Sequence, residues 1–340
     1  MPLFHRLYPL LRPLLFKLDA ETAHEVTVRM MRLAHALGLL QAASRKPQAA
    51  LEVMGLNFPN CVGLAAGMDK SASAVDAWLA CGFGFVEVGT LTPRPQPGNP
   101  TPRLFRLIKK EAIINRMGFN NPGIEAAVRR LEKRNGGGIV GVNIGKNFDT
   151  PNERAVDDYI ACLRQAYAVA DYIAVNISSP NTKGLRDLQA KEPVQKLVDA
   201  LKNEQSKLET QHGKRTPLLV KIAPDLDAAQ IEMLARVFGE MQLDGVIATN
   251  TTITRKGVES HALANETGGL SGAPLTTIST DVIRALRAAL PEKMPIIGVG
   301  GILSADDALD KLNAGAALVQ LYTGLVYCGP RLIGEIAKAR

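Results

Sequence analysis

Residues 139–147 read IVGVNIGKN and residues 172–181 read YIAVNISSPN, and in each stretch a short apolar run ends in polar residues. The runs are nearly continuous instead of alternating, which is typical of strands covered on both faces of a parallel sheet. Six more runs of this kind span residues 62–66, 85–89, 218–222, 245–249, 296–299 and 317–321. Together the runs predict a buried parallel sheet of eight strands.

Helical periodicity separates most of these runs. Apolar residues recur at helical spacing in residues 152–169, 193–208, 227–238, 277–290 and 305–313. Eight strand–helix units within residues 61–340 predict an α/β protein, specifically a (β/α)8 TIM barrel with a small N-terminal helical extension. A doubly wound parallel sheet is the alternative arrangement of the same elements.

The composition is that of a globular protein. Of 340 residues, 46% are apolar and 21% are charged, which excludes wholesale disorder. The net charge of +7 fits an acidic partner such as a phosphate cofactor, an anionic substrate or an anionic lipid. The basic residues are spread along the chain and only 5% of the residues are aromatic, so nucleic acid is not an expected partner.

No metal site is expected from the sequence. The cysteines are too far apart for a CxxC pair, no HExxH occurs, and the histidines are scattered. The cysteine pattern indicates a reduced compartment, in which these residues are small members of the core. They are Cys61, Cys81, Cys162 and Cys328.

Residues 1–46 differ from the rest because they contain two successive amphipathic patterns. Apolar residues recur at helical spacing at Phe4, Leu7, Leu11, Leu14 and Leu18, and again at Val26, Met30, Leu33, Leu37 and Leu40. No apolar run reaches the ~20 residues that a transmembrane helix needs. Prolines and charges in the segment argue against a secretory signal and a transit peptide. The pattern fits two structures equally, a surface lying among lipid headgroups and a helical hairpin packed on its own domain.

Polar residues follow all eight predicted strands, and in a barrel the carboxyl ends of the strands carry the active site. Lys70 and Lys221 would place two ammonium groups in one pocket, which requires anionic partners. Asparagines are common in turns, but five on one face favour a ligand with alternating N–H and C=O groups, such as a pyrimidine or an isoalloxazine ring. They are Asn115, Asn143, Asn176, Asn181 and Asn250.

Glycines after the last two predicted strands favour a bound phosphate. Residues 298–302 read GVGGI and residues 322–324 read YTG, and barrels commonly bind phosphate in these two loops. The glycine-rich stretches do not match the two common nucleotide motifs. They lack the spacing and the final Ser/Thr of a Walker A motif, and they lack the third glycine of the dinucleotide fingerprint. Two long loops would complete the pocket: residues 90–123, predicted to form a hairpin turning at 109–111, and the glycine-rich flap of residues 250–276.

The chain resembles the dihydroorotate dehydrogenases of class 2, the membrane-associated and quinone-reducing class, over nearly its whole length. The motifs that carry the resemblance are GLAAGMDK (63–70), GTLTPRPQPGNPTPRLFRL (89–107), NRMGFNN (115–121), NIGKN (143–147), NISSPNTKGLR (176–186), VKIAPDL (220–226), ATNTT (248–252), TGGLSGAPL (267–275), IIGVGGI (296–302) and QLYTGL (320–325). The resemblance implies FMN, oxidation of dihydroorotate to orotate in pyrimidine biosynthesis, and reoxidation of the flavin by a membrane quinone.

The resemblance also implies roles for individual residues. Ser179 would be the base that takes the C5 proton, and Thr182 and Phe119 would shape its proton path. The substrate would be held by Lys70, Asn115, Arg116, Met117, Gly118, Phe119, Asn176, Asn181, Asn250 and Thr251. FMN would contact Ala66, Gly67, Met68, Asp69, Lys70, Thr90, Asn143, Asn176, Lys221, Thr249, Gly272, Gly301, Tyr322 and Thr323. The polar end of a quinone funnel would contain His24, Arg106 and Tyr322.

Two features indicate class 2, since class 1 relatives have cysteine in place of Ser179 and lack the extension. Residues 1–46 would then be a membrane-associating quinone funnel and residues 47–340 the FMN-binding catalytic barrel. The expected location is the cytoplasmic face of the bacterial inner membrane, with peripheral lipid contact and no required partner subunit. The sequence departs from the family pattern at Ser71-Ala72, where an acidic or amide residue and a glycine are expected.

Three other interpretations remain open. One is a class 1-like FMN barrel that uses fumarate. Another is a phosphosugar aldolase with Lys221 as its Schiff base, and the last is a non-catalytic protein of the lipid surface.

Overall fold

The protein forms a closed barrel of parallel strands surrounded by helices. A computed structural model describes residues 3–40 and 50–340. The strands in this part of the chain are β1 (Leu51–Val53), β2 (Leu56–Phe58), β3 (Val62–Leu64), β4 (Phe85–Leu91), β5 (Leu104–Leu107), β6 (Ala112–Asn115), β7 (Ile139–Ile144), β8 (Tyr172–Asn176), β9 (Leu218–Ile222), β10 (Gly245–Ala248), β11 (Gly269–Gly272), β12 (Ile296–Val299) and β13 (Leu318–Leu321).

The α-helices follow the strands in alternation over most of the chain. They are α1 (Leu3–Leu15), α2 (Ala20–Ala36), α3 (Val75–Ala80), α4 (Ile124–Glu132), α5 (Ala155–Ala166), α6 (Lys191–His212), α7 (Ala228–Glu240), α8 (Thr276–Ala289), α9 (Ala305–Asn313), α10 (Thr323–Cys328) and α11 (Arg331–Ala339). The side chains of Asp227 and Ser304 form capping boxes at the starts of α7 and α9, which fixes where these two helices begin.

The predicted TIM barrel is confirmed, and the doubly wound sheet is wrong. The eight predicted runs form the barrel in the order β3-β4-β7-β8-β9-β10-β12-β13, and β13 pairs with β3 to close it. An open sheet would leave both of these strands as edges. Every residue of the barrel strands is buried, which explains why the runs are continuous in the sequence.

A three-stranded sheet lies outside the barrel, in the order β11-β6-β5. The hairpin of β5 and β6 turns at residues 108–111, as predicted. The flap of residues 250–276 is not all loop, because β11 pairs with β6 along its whole length. A Cβ at Gly272 would lie 2.1 Å from the carbonyl oxygen of Glu111, so the glycine permits this close pairing. Two of the four residues of β11 are glycines, so the sequence pattern did not predict this strand.

The N-terminal helices α1 and α2 pack on the barrel with one face and expose the other. Tyr8 donates its hydroxyl proton to the carbonyl of Val326 at 2.5 Å, and Glu21 pairs with Arg103 at 2.7 Å. Most large apolar side chains that the described residues expose lie on these two helices or directly beside their ends, at Leu7, Leu10, Leu14, Leu18, Met30, Leu33 and Leu37. The helices therefore have one face packed on their own domain and one exposed apolar face, so they combine features of both structures that fit the sequence.

No helix in the described ranges is long and apolar enough to cross a bilayer. The predicted domain boundary between residues 46 and 47 lies outside the described residues. Three of the four cysteines are buried and Cys328 is half-buried, and all four are free thiols.

Candidate active site

A cavity of about 990 Å³ opens at the carboxyl end of the barrel. Most residues that the resemblance assigns to substrate and flavin line it, although they come from all parts of the chain. These are Ala66, Gly67, Lys70, Thr90, Asn115, Met117, Gly118, Phe119, Asn176, Ser179, Asn181, Lys221, Thr249, Asn250, Thr251, Gly272, Gly301, Tyr322 and Thr323. Its mixture of apolar walls and convergent polar groups is typical of a small-molecule site.

Arg116 lies among the assigned residues but its side chain turns away from this cavity. Its guanidinium pairs with Glu266 at 2.5 Å and stacks on the ring of Phe105 at 4.6 Å. These contacts tie the β5–β6 hairpin to the flap. Arg116 therefore contributes to closing the site rather than to its lining.

Two assigned residues in the loop after β3 also point elsewhere. The buried carboxylate of Asp69 accepts hydrogen bonds from the amides of Ser73 and Ala74 at 2.9 and 2.7 Å, so it fixes the loop. Met68 lines a different cavity. Ala72 adopts a positive φ of 54°, so the backbone here is one that glycine adopts more readily.

A chain of amide and hydroxyl hydrogen bonds connects the ends of four strands. Asn176 donates from Nδ2 to the hydroxyl oxygen of Thr90 at 2.9 Å, and Thr90 donates to Oδ1 of Asn143 at 2.5 Å. Asn250 donates from Nδ2 to the Ser178 hydroxyl at 3.0 Å. Asn143 belongs to this network but is fully buried and does not line the cavity. The network fixes which amide edges face a ligand.

Ser179 lies in the loop after β8 and is only 6% exposed. Its hydroxyl oxygen accepts a hydrogen bond from the amide of Asn181 at 3.3 Å. The described residues give it no histidine or carboxylate partner, which matches the absence of a recognisable triad. Thr182 lies nearby in sequence, does not line the cavity, and has a buried hydroxyl with no partner among the described residues.

Lys221 reaches the cavity from inside the barrel, where it meets a carboxylate. Its Nζ lies 3.9 Å from Oε1 of Glu87, a residue with no exposed surface. Glu87 accepts hydrogen bonds from Asn143, Tyr172 and Gln320 at 2.8, 2.9 and 2.7 Å. Burial lowers the pKa of Lys221, and the charge of Glu87 opposes this shift. The pair keeps an ammonium available to a ligand at the centre of the site.

Lys70 also lines the cavity and borders a separate pocket together with residues of helix α2. Burial lowers the pKa of Lys70 to about 8. The negative charge of Glu21 raises this pKa, and the positive charge of Arg103 lowers it. A bound anion would stabilise the charged form further.

Arg186 and Asp225 were not singled out from the sequence, although both lie in the quoted motifs. Arg186 pairs with Asp225 at 2.8 Å and donates to the carbonyls of Ser178 and Thr251 at 3.0 and 2.8 Å. Asp225 in turn accepts from the hydroxyl of Thr252. The arginine thus holds the Ser179 loop and the loop after β10 in one arrangement. Its spacing along the chain carries no sign of this contact.

The cavity also contains residues that suit a flavin phosphate and ring. Gly300 and Gly301 line one end, next to the start of α10. Gln320 lines the barrel side, and its Oε1 is buried with no partner among the described residues, so it is free to accept from a ligand. The lining therefore fits a ring with N–H donors and a phosphate-bearing tail.

A second cavity of about 790 Å³ lies between the N-terminal helices and the barrel. His24, Arg106 and Tyr322 all line it, with a largely apolar remainder. Burial lowers the pKa of His24 to about 3, and the positive charge of Lys70 adds to the effect, so this imidazole is neutral. Arg106 donates to the carbonyls of Leu15, Phe16 and Leu18. Tyr322 lines both cavities and forms the wall between them.

Among residues 3–40 and 50–340, no cluster of three histidine, cysteine, aspartate or glutamate side chains could hold a metal ion.

Comparison with known proteins gives consistent results. A profile of the family described as "Dihydroorotate dehydrogenase" matches residues 48–339. The chain is 59% identical to a dihydroorotate dehydrogenase (quinone) of Chromobacterium violaceum, over 98% of this chain and 97% of the relative. It is 57% identical to the protein of that name from Nitrosospira multiformis, over 98% and 95% of the two chains.

A crystal structure of DHODH from Eimeria tenella in complex with ferulenol superimposes with a TM-score of 0.89 at 40% identity, covering 96% of this chain and 93% of the other. The sequence and structural matches both extend over the barrel and the strand ends that line the cavity. The chain therefore belongs to the dihydroorotate dehydrogenase family.

Proposed function

We propose that this protein oxidises dihydroorotate to orotate with FMN as its cofactor, passes the electrons to a quinone, and thereby serves pyrimidine biosynthesis. The observation that carries the proposal is the pair of cavities separated by Tyr322, one with many convergent polar groups and one almost entirely apolar. A hydrophilic anion and a lipid-soluble acceptor can then approach the same redox group from different sides. Family membership makes the chain an oxidoreductase and disfavours the aldolase and scaffold interpretations.

The flavin would lie across the carboxyl end of the barrel. Gly301 and Thr323 would hold its phosphate with backbone amides, and Thr90, Asn176 and Lys221 would face its ring. When bound, FMN accepts a hydride from the substrate and releases electrons to the quinone. Lys221 would hold its ammonium against the negative charge that a flavin gains on reduction.

The substrate would lie between the flavin and the loop that carries Ser179. Lys70 would pair with its carboxylate, and the asparagine side chains would bind the amide edges of the ring. Ser179 would remove the C5 proton from its desolvated position, while Arg186 keeps the loop in place. Closure of the flap through Arg116 and Glu266 would exclude water.

The quinone would enter the second cavity between α1 and α2. Its ring would approach Tyr322, and His24 and Arg106 are the polar groups nearest to that end. Class 1-like use of fumarate is the remaining enzymatic alternative, and it makes no use of this cavity.

Anaerobic mixing tests the proposal as a whole. The purified protein is mixed with dihydroorotate while the flavin absorbance is followed. Bleaching that reverses on addition of quinone supports the substrate, the flavin and the acceptor together. A yellow protein that does not bleach would exclude dihydroorotate as the substrate. If the flavin absorbance returns on addition of fumarate but not of quinone, the class 1-like alternative is favoured.

Substitution of Lys221 by methionine should lower both flavin retention and flavin reduction. The methionine keeps the length of the side chain but leaves the reduced flavin without its positive neighbour, so we expect at least a tenfold slower reduction by dihydroorotate. Flavin content of the purified variant and stopped-flow absorbance measure the two effects.

The control for this variant is Lys214→Met, which removes a half-buried lysine bonded to the carbonyl of Ala170 and remote from the cavity lining. If Lys221→Met retains full flavin and reduces it at the normal rate, the charge argument is wrong.

Peripheral membrane association is proposed from the exposed face of α1 and α2. Leu10 on α1 and Leu33 on α2 are 72% and 60% exposed, and the exposed Arg29 and Arg32 lie close to Leu33 in sequence. Apolar side chains with flanking cations suit the headgroup region of an anionic bilayer. The cytoplasmic face of the inner membrane is the proposed location.

Replacing Leu10 and Leu14 together by glutamine should weaken vesicle binding at least tenfold, since each leucine loses ~1.5–3 kcal/mol of burial in lipid. Co-sedimentation with phosphatidylglycerol vesicles measures the effect, and phosphatidylcholine vesicles isolate the charge contribution. The double variant Phe148→Gln and Ile253→Gln removes exposed apolar groups elsewhere and should bind as the parent does. Equal binding by the helix variant would eliminate this surface as the lipid contact.

A further inference from the structure

Lys311 on α9 is a buried cation outside the active-site lining. It has no exposed surface, and its Nζ donates to the hydroxyl of Ser279 at 2.6 Å, the hydroxyl of Thr280 at 2.9 Å and the carbonyl of Thr276 at 3.2 Å. All three ammonium protons are thus used. The ion pairs of the described residues include none with Lys311, so a charge is kept inside the protein by neutral acceptors alone.

The lysine determines the direction of the hydrogen bonds around it. An ammonium can only donate, so the oxygens of Ser279 and Thr280 must accept from it and their own protons point elsewhere. Ser279 donates to the carbonyl of Gly300 at 3.2 Å, and Thr280 donates to the carbonyl of Thr276 at 2.8 Å. Lys311 therefore orders the first turn of α8.

That turn holds both glycines of the loop after β12. Besides the bond from Ser279 to Gly300, the hydroxyl of Thr276 donates to the carbonyl of Gly301 at 2.6 Å. A Cβ on Gly301 would lie 2.3 Å from the amide nitrogen of Thr276, so the loop presses directly on α8. In a trans peptide the N–H points opposite to the C=O. With both carbonyls turned to α8, the amides of Gly301 and Ile302 point away from it, and both residues line the active-site cavity.

We propose that Lys311 is a positioning residue for the flavin phosphate, which orients the Gly301 and Ile302 amides through Ser279 and Thr276. The inference rests on the proposed function, because it requires that the phosphate of FMN binds at this loop. The buried charge would also favour an anion in front of the glycines, since a charge inside the protein is screened less than one in water. Burial lowers the pKa of Lys311 to about 8, and the charges of Asp307, Asp310 and Asp281 oppose the shift, so the ammonium persists at neutral pH.

The test compares flavins with and without a phosphate. The full-length holoprotein is equilibrated with excess riboflavin, and chromatography of the bound flavin gives the ratio of the riboflavin and FMN dissociation constants. We expect Lys311→Met to reduce this ratio at least tenfold, because only FMN loses an interaction. A merely structural role would weaken both flavins alike and leave the ratio unchanged.

Two further variants make the result decisive. Lys146→Met removes another buried lysine, bonded to the carbonyl of Thr150, and should not change the ratio. Ser279→Ala keeps the charge but cuts the link to Gly300, and should lower the ratio in the same direction as Lys311→Met. If Lys311→Met does not fold, Ser279→Ala decides alone.

The outcomes separate the inference from the proposed function. A parent protein that binds riboflavin as tightly as FMN shows that no phosphate site exists, which overturns the proposed cofactor site. If the parent ratio is well above one and neither variant lowers it, FMN remains the proposed cofactor and the role of Lys311 is overturned.

Discussion

Replacement of Ser179 by alanine should slow the reduction of bound flavin by dihydroorotate by a factor of ~10²–10⁴, the usual contribution of a general base. Flavin content should be unchanged. The Ser179 side chain is almost completely buried, and its hydroxyl has one hydrogen bond within the described residues, from the Asn181 amide at 3.3 Å, so its removal disturbs little else. Stopped-flow absorbance under anaerobic conditions isolates this half of the reaction from quinone turnover.

Ser178→Ala is the matched control for this variant, because it removes a neighbouring hydroxyl. Ser178 donates to Oδ1 of Asn176 and accepts from Asn250, so its loss should disturb binding of the ring more than proton removal. Ser179→Cys should restore part of the rate, with a pH profile moved toward the thiol range, since a thiol has a pKa of about 8.5. A normal reduction rate in Ser179→Ala would exclude the serine as the base.

The barrel was predictable because its strands have a simple environment. Parallel strands buried on both faces produce continuous apolar runs, and residues 139–144 and 218–222 match β7 and β9 at both ends. The strand β11 was missed, because Gly268 and Gly272 have the positive φ angles of close backbone pairing and lack the side chains that mark a strand. The short hairpin of β1 and β2 was missed as well, and Phe58 of β2 packs edge-on against Phe85 inside the barrel at 5.2 Å.

The site was predictable where a residue lies at the carboxyl end of a strand or in the loop that follows it. Asn176 at the end of β8, Thr249 after β10 and Lys70 in the loop after β3 satisfy that rule, and all three line the cavity. Glu87 does not, since it lies within the apolar run of β4, and its role beneath Lys221 depends on which way its side chain points in the closed barrel. Arg186 joins two loops that are distant in sequence, so its contacts required the folded structure.

Lys311 shows a different limit of sequence interpretation. On an amphipathic helix a lysine is normally assigned to the solvent face, and here it is fully buried. Its three acceptors are on α8, which is a separate element. The periodicity of α8 and α9 does not reveal that the two helices lie close together.

Filling the second cavity should separate the two half-reactions. Ala23 on α2 is 7% exposed and lines this cavity, so a tryptophan there would occupy the proposed quinone site. We expect Ala23→Trp to lower turnover with a long-chain quinone by at least ~30-fold, equivalent to ~2 kcal/mol of lost transition-state binding. Reduction of the flavin by dihydroorotate should stay within twofold of the parent, because the active-site cavity does not include Ala23.

Ala36→Trp is the control, since it makes the same substitution on the exposed side at the end of α2 and should leave quinone turnover unchanged. A small water-soluble acceptor such as dichlorophenolindophenol gives a second control, because its reaction with the reduced protein need not follow the apolar cavity. If Ala23→Trp slows both acceptors equally, the substitution has damaged the flavin site through Tyr322 or Met68, which border this cavity. If it slows neither, electrons leave by another route, and α1 and α2 serve only to attach the barrel to the lipid surface.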